Sequence, residues 1–252
     1  MTRGTDTRDV GIPLPNGSRL PAALASPAVA DGPRPAVLVL HEAFGVNDDI
    51  RRIAARFASE GYVALAPDFL DGLGPKPICI VRFARGLGRR SAGRPYRQLD
   101  AAREWLAQRP GVDADRIGVA GFCIGGGFAM LWAAGAGPAV RVAAPFYGPV
   151  PDEPERDLAG ICPVVASYGG RDRFFRSMAG RLEVGLSALG VAHDIKVYPD
   201  AGHSFMNRID GPAGWLGRRL PMHAGFHGPS SEDAWRRMLA FFELHLGGPG
   251  AA

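Results

Sequence analysis

The sequence predicts a doubly wound α/β domain, a mostly parallel sheet covered by helices on both faces and preceded by an antiparallel hairpin. Three observations carry this. Short apolar runs alternate along the chain with segments of helical periodicity. Most of the runs are predominantly apolar, as strands buried on both faces require. Asn16-Gly17 stands between two alternating segments, the strongest short-range hairpin signal.

Taken in order, "VGIPLPNGSRLPAAL" supplies the hairpin. "AVLVLH" (36–41), "YVALAP" (62–67), "RIGVAGF" (116–122), "VRVAAPFYG" (140–148), "CPVVASYGG" (162–170) and "HDIKVYP" (193–199) read as buried strands. "DDIRRIAARFASEG" repeats Ile50, Ile53, Ala54 and Phe57 at helical spacing and stops at Gly61. "YRQLDAAREWLAQRPG", "GGGFAMLWAAGAG" and "RSMAGRLEVGLSALG" are further helices. "SEDAWRRMLAFFELHLGG" is the last, with Ser231 as N-cap, Glu232 and Asp233 in the first turn and glycine after its end. Residues 69–95 and 207–229 read as irregular insertions, of the kind that shape a site at the carboxyl edge of such a sheet.

At 252 residues and 46% hydrophobic, the chain can bury one large core, and residues 1–252 are expected to form a single domain. The start carries acids and no apolar segment of a secretory signal, and no run approaches the roughly 20 apolar residues of a membrane span. The expectation is a cytoplasmic protein without a membrane partner. Cys79, Cys123 and Cys162 are odd in number and lack CxxC spacing, which argues against a disulfide framework or a zinc site. The net charge of +4 rests almost wholly on arginine, only Lys76 and Lys196 being lysine, and this is a weak argument for a nucleic-acid partner, so none is expected. Residues 72–99 carry seven basic residues and no acid, a patch that attracts an acidic substrate or is simply solvated. No nucleotide-binding glycine motif occurs. His223 and His227 stand four apart in a stretch broken by glycine and proline, so neither a metal nor a cofactor is expected. Monomer and homodimer stay equally open.

The chemistry concentrates at "VAGFCIGGGFAM" (119–130), where a strand runs straight into a helix. A sharp strand-to-helix turn strains its central residue and admits only small neighbours, which Gly121 and Gly125 supply around Cys123. The turn lifts the thiol to a helix N-terminus, where unpaired N–H groups and the helix dipole favour the thiolate. Read alone, Cys123 could be a buried apolar thiol, the ordinary fate of free cysteine. A nucleophile on such a turn is followed in the chain by an acid and then a histidine. Asp172 in "SYGGRDRFF" and His203 in "YPDAGHSFMN" come in that order, each just past the end of a strand. Asp200 is a rival acid, but its place in the histidine's own loop suits a turn. The oxyanion hole is expected from the N–H groups of Ile124 and Ala43. Glu42, an acid directly after a buried strand, requires a partner or a task.

The motifs "HEAFGVN", "GFCIGGG", "FYG", "GGRD" and "AGHSF" together resemble the dienelactone hydrolase family of the α/β-hydrolase superfamily, over nearly the whole chain. The resemblance implies the α/β-hydrolase fold and a hydrolase of small lactones or carboxylic esters acting through a cysteinyl acyl-enzyme. It implies a nucleophile at Cys123, an orienting acid at Asp172, a base at His203, and a glutamate, Glu42, that takes the thiol proton when substrate arrives. In the family type a substrate carboxylate is held by arginines, one of them four residues after the histidine. That position is Asn207 here, with Arg208 beside it, while Arg82 and Arg85 lie in the region of the second arginine. Tyr147 and Phe44 complete the candidate substrate-binding residues. The departure at Asn207 leaves a broader carboxylesterase or thioesterase as an alternative, and a non-catalytic binding protein on the same fold as another.

Overall fold

The computed structural model describes residues 4–29, 32–71, 93–208 and 211–248, without the side chains of 211–213. Arg82, Arg85, Cys79 and most of the basic 72–99 stretch lie outside the described residues.

Five residues join β1 (Thr5–Pro13) to β2 (Arg19–Pro27). Asn16 Oδ1 accepts from Ser18 N at 3.1 Å, and Gly17 takes the left-handed φ of 82° that the tight connection demands. β3 (Arg34–Leu40), β4 (Val63–Pro67), β5 (Val112–Phe122), β6 (Val142–Phe146), β7 (Val164–Gly169) and β8 (His193–Tyr198) complete an eight-stranded sheet in the order β1-β2-β4-β3-β5-β6-β7-β8. β3 to β8 are mutually parallel, and β2 pairs antiparallel with both β1 and β4.

Successive residues of a strand face opposite sides, so the sheet feeds two cores. Leu38 and Leu40 point into one, with the helices α2 (Arg94–Ala107), α3 (Ile124–Ala136) and, after a short α4 (Pro154–Asp157), α5 (Met178–Ala188). Val37 and Val39 point into the other, with α1 (Asp48–Ser59) and the terminal α7 (Gly228–Leu246), whose Trp235, Met238 and Phe242 are fully buried. Asn47 caps α1 by accepting from Ile50 N at 3.0 Å, and Gly61 ends it at φ 99°.

Three expectations are corrected. The 207–229 insertion is not wholly irregular, because α6 (Gly211–Arg219) forms within it. The last helix starts at Gly228, four residues before the Glu232 start that a Ser231 N-cap implies. Pro229 suits the first turn, His227 occupies the N-cap position, and Ser231 is a buried first-turn residue rather than the cap. β8 is an edge strand and half-exposed, not buried on both faces, because no ninth strand pairs with it among the described residues.

The chain reverses direction of growth at β3, with β4 laid on one side and β5 on the other. In open α/β sheets the crevice at the carboxyl ends beside such a switch is where ligands bind. Glu42, Cys123, Tyr147, Asp172 and His203 all follow the carboxyl ends of strands at this edge.

Candidate active site

Cys123 adopts φ 53° and ψ −121°, a strained conformation for a residue with a side chain, and N-caps α3. The turn is held open by absence of side chains around it. A Cβ on Gly121 would lie 2.2 Å from the Gly125 carbonyl oxygen, and one on Gly125 would lie 2.5 Å from the Leu40 oxygen. Cys123 N donates to Phe146 O at 3.0 Å, tying the turn to β6. Cys123 as a residue is only partly buried.

Asp172 is fully buried and its carboxylate is divided between two tasks. Oδ1 accepts from Phe174 N at 3.0 Å and Phe175 N at 3.3 Å, which fixes the side chain in the loop after β7. Oδ2 accepts from His203 Nδ1 at 2.6 Å. A carboxylate only accepts, so Nδ1 carries the proton, and the hydrogen bond between His203 and Cys123 falls to Nε2. Burial opposes a charge on His203 most strongly. The charge that Cys123 carries once deprotonated, its hydrogen bond and the Asp172 carboxylate outweigh it and push the imidazole up to about 10.

The histidine loop is clamped from outside by the stretch after α6. His203 N donates to Met222 O at 2.8 Å, Gly225 N to His203 O at 2.9 Å and His227 N to Phe205 O at 3.0 Å. Gly202 permits this closeness, since a Cβ there would meet His223 O at 1.9 Å. The rings of Phe175 and Tyr147 flank His203 at 4.8 and 5.1 Å between centroids.

Glu42 is 5% exposed and has the partner its position requires. Ser204, in a left-handed backbone of φ 54°, donates its hydroxyl to Oε1 at 2.5 Å. Burial is the main cause raising the Glu42 carboxyl above its ordinary range. The Ser204 hydrogen bond and the charge of His203 pull it down, and the charge of Asp49 adds to the rise. Ala43, next in the loop, and Ile124, first residue of α3, are both nearly buried. The N–H of Ile124 has no intrahelical acceptor, as for every first-turn donor.

Of the described candidate substrate-binding residues, Tyr147 and Asn207 are paired with each other. Tyr147 is wholly buried at φ 40° and donates its hydroxyl to Asn207 Oδ1. Asn207 is 2% exposed and donates through Nδ2 to Asp49 Oδ2 at 2.9 Å. Phe44 is 54% exposed, and the exposed Arg208 stacks on Phe226 at 5.0 Å. Ser204, Asp49 and Arg52 are contributors that sequence reasoning missed. Ser204 meets its partner across 162 positions, and Asp49 and Arg52 read only as the polar start of a helix. Among the described residues no group of three or more His, Cys, Asp or Glu could hold a metal ion, and no helix is long and apolar enough to cross a membrane.

The mostly parallel sheet with its strand-to-helix turn at Cys123 has the α/β-hydrolase fold. The sequence profile described as the Dienelactone hydrolase family matches residues 20–246. Proteins of Yersinia pestis and Escherichia coli K12, both named "Putative carboxymethylenebutenolidase", are each 32% identical; the alignments cover 97% and 92% of this chain and 91% and 84% of theirs. The crystal structure of a Klebsiella pneumoniae protein described as a "Putative Dienelactone Hydrolase" superimposes with a TM-score of 0.78 at 29% identity, over 96% of this chain and 100% of that one. The chain therefore belongs to the dienelactone hydrolase family.

Proposed function

We propose that the protein hydrolyses small lactones or carboxylic esters through a cysteinyl acyl-enzyme. The observation that carries this is the pairing of His203 with Asp172 at 2.6 Å on one side and with the Cys123 thiol on the other. In the proposed cycle Glu42 takes the thiol proton, which its raised proton affinity suits. The sulfur adds to the carbonyl carbon while the N–H groups of Ile124 and Ala43 receive the oxyanion. Collapse breaks the C–O bond, and the departing oxygen takes a proton from His203. His203 then removes a proton from water, and the hydroxide displaces the thiolate as the acid forms. Glu42 returns its proton to sulfur and the cycle closes.

Replacing Cys123 with alanine is expected to abolish turnover of an aryl ester and of a dienelactone, and a cleanly purified variant that stays active would refute the assignment.

A second reading favours neutral esters over lactones bearing a carboxylate. It is supported by Asn207, which is turned inward onto Tyr147 and Asp49, and by Arg208, which is stacked on Phe226. Comparing kcat/KM for a carboxylate-bearing lactone with that for its methyl ester separates the two, a preference for the methyl ester supporting the second.

A further inference from the structure

A buried polar chain leads from the first turn of α1 to the ring of His203. Arg52 Nε donates to Asp49 Oδ1 at 2.8 Å, and a second guanidinium nitrogen reaches the same oxygen at 2.7 Å. That nitrogen also donates to Met206 O at 3.2 Å. The other Asp49 oxygen accepts from Asn207 Nδ2, and Asn207 Oδ1 accepts from the Tyr147 hydroxyl. The Tyr147 oxygen in turn receives the Met206 N–H. The Asp49 side chain is 8% exposed, so a charge sits here almost out of water.

The direction of this chain is fixed by Asp49. A carboxylate can only accept, so the Asn207 amide must turn its nitrogen toward it and its oxygen toward Tyr147. Tyr147 must then donate to Asn207, which sets its hydroxyl and leaves its oxygen to the Met206 N–H. Both polar backbone groups of Met206, and the side chain of Asn207, are thereby tied down. These residues close the turn that begins at His203, with Asn207 N donating to Ser204 O at 2.9 Å. The Tyr147 ring packs against the imidazole on a backbone that also adjoins the nucleophile turn, since Phe146 O accepts from Cys123 N.

We infer that Asp49 is a positioning residue for His203, acting through Asn207 and Tyr147. The inference rests on the proposed role of His203. Replacing Asp49 by asparagine would set two donors against each other, free the Asn207 amide to invert and release Tyr147 and the loop together. It would also remove a negative charge that helps Glu42 hold its proton.

The test compares Asp49→Asn, Asp49→Glu, Tyr147→Phe and Cys123→Ala with the wild type, using an aryl ester and, separately, the pH profile of Cys123 alkylation by iodoacetamide. Asp49→Asn and Tyr147→Phe are expected to lower kcat about ten- to a hundredfold, the cost of a small misplacement, with KM within about twofold. Asp49→Asn should move the acid limb of kcat/KM to lower pH. Tyr147→Phe and Asp49→Glu, which keep the charge, should leave that limb in place. Wild-type kcat and limbs in both Asp49→Asn and Tyr147→Phe, with Cys123→Ala inactive, would overturn the inference alone. If Cys123→Ala stays active, the hydrolytic reading falls. The inference is then decided by alkylation, where an Asp49→Asn profile superimposed on the wild type overturns it and a displaced profile supports it. Should Asp49→Asn fail to fold, the isosteric Tyr147→Phe decides by the same criterion.

Discussion

Ser204 donates its hydroxyl to the Glu42 carboxylate at 2.5 Å, joining the loop after β3 to the residue that follows His203. This hydrogen bond favours the ionised carboxyl against the burial that raises it. Ser204→Ala removes that help, so Glu42 should hold its proton to higher pH. With Glu42 as proton acceptor, the acid limb of kcat/KM for an aryl ester moves to higher pH, the reverse of the shift expected for Asp49→Asn. A limb that does not move would separate Glu42 from the thiol's proton.

His203 predicts how stability varies with pH. Its folded proton affinity, about 10, lies above the ordinary value of 6.5, so between these values the native state holds a proton that the unfolded chain releases. The stability this contributes is complete below about 6.5 and is lost as pH rises through about 10. Urea unfolding of the wild type at intervals from pH 6 to pH 10.5, set beside His203→Gln, tests this. The wild type should lose stability across that window more steeply than the variant, and parallel curves would contradict the charged imidazole.

The glycines of the site and of the surface should respond in opposite ways to a methyl group. At Gly121 the new Cβ would lie 2.2 Å from backbone oxygen that cannot withdraw, and Gly121→Ala should destabilise by about 3 kcal/mol. Gly180, on α5, has nothing within 4 Å of its Cβ position, and Gly180→Ala should stabilise by about 0.5–1 kcal/mol through helix propensity. Denaturant midpoints of the two variants measure both signs.

The two described cysteines are expected to differ in reactivity for a physical reason. Burial pushes the Cys162 thiol up to about 12, whereas Cys123 is set on its turn beside His203. In a Cys79→Ser background, iodoacetamide at pH 8 should modify Cys123 and leave Cys162 untouched, as read by peptide mapping. Equal labelling would remove the electrostatic distinction between them.

Periodicity made the element order legible. Predominantly apolar runs at 36–41 and 116–122 read as buried strands, and they form β3 and the buried second half of β5. It failed where packing overrode local pattern. α6 forms in a stretch rich in glycine and proline, and the segment after it is stitched to the His203 loop by hydrogen bonds involving Met222, Gly225 and His227. The start of α7 was set by Pro229 and His227 rather than by the better capping residue Ser231, which the fold buries. β8 looked like its neighbours, yet only the sheet order made it an edge.

What the sequence alone determined was which groups are present and which edge they reach: a thiol between glycines, then an acid, then a histidine, each at the end of a strand. Strand ends and turn residues are local properties, written within a few positions. Tertiary structure decided how those groups are used. It turned Tyr147 and Asn207 inward onto Asp49, and gave Glu42 a hydroxyl partner from across the chain. Hydrogen-bond partners and proton affinities depend on burial and on neighbours distant in sequence, and those exist only once the sheet has closed around them.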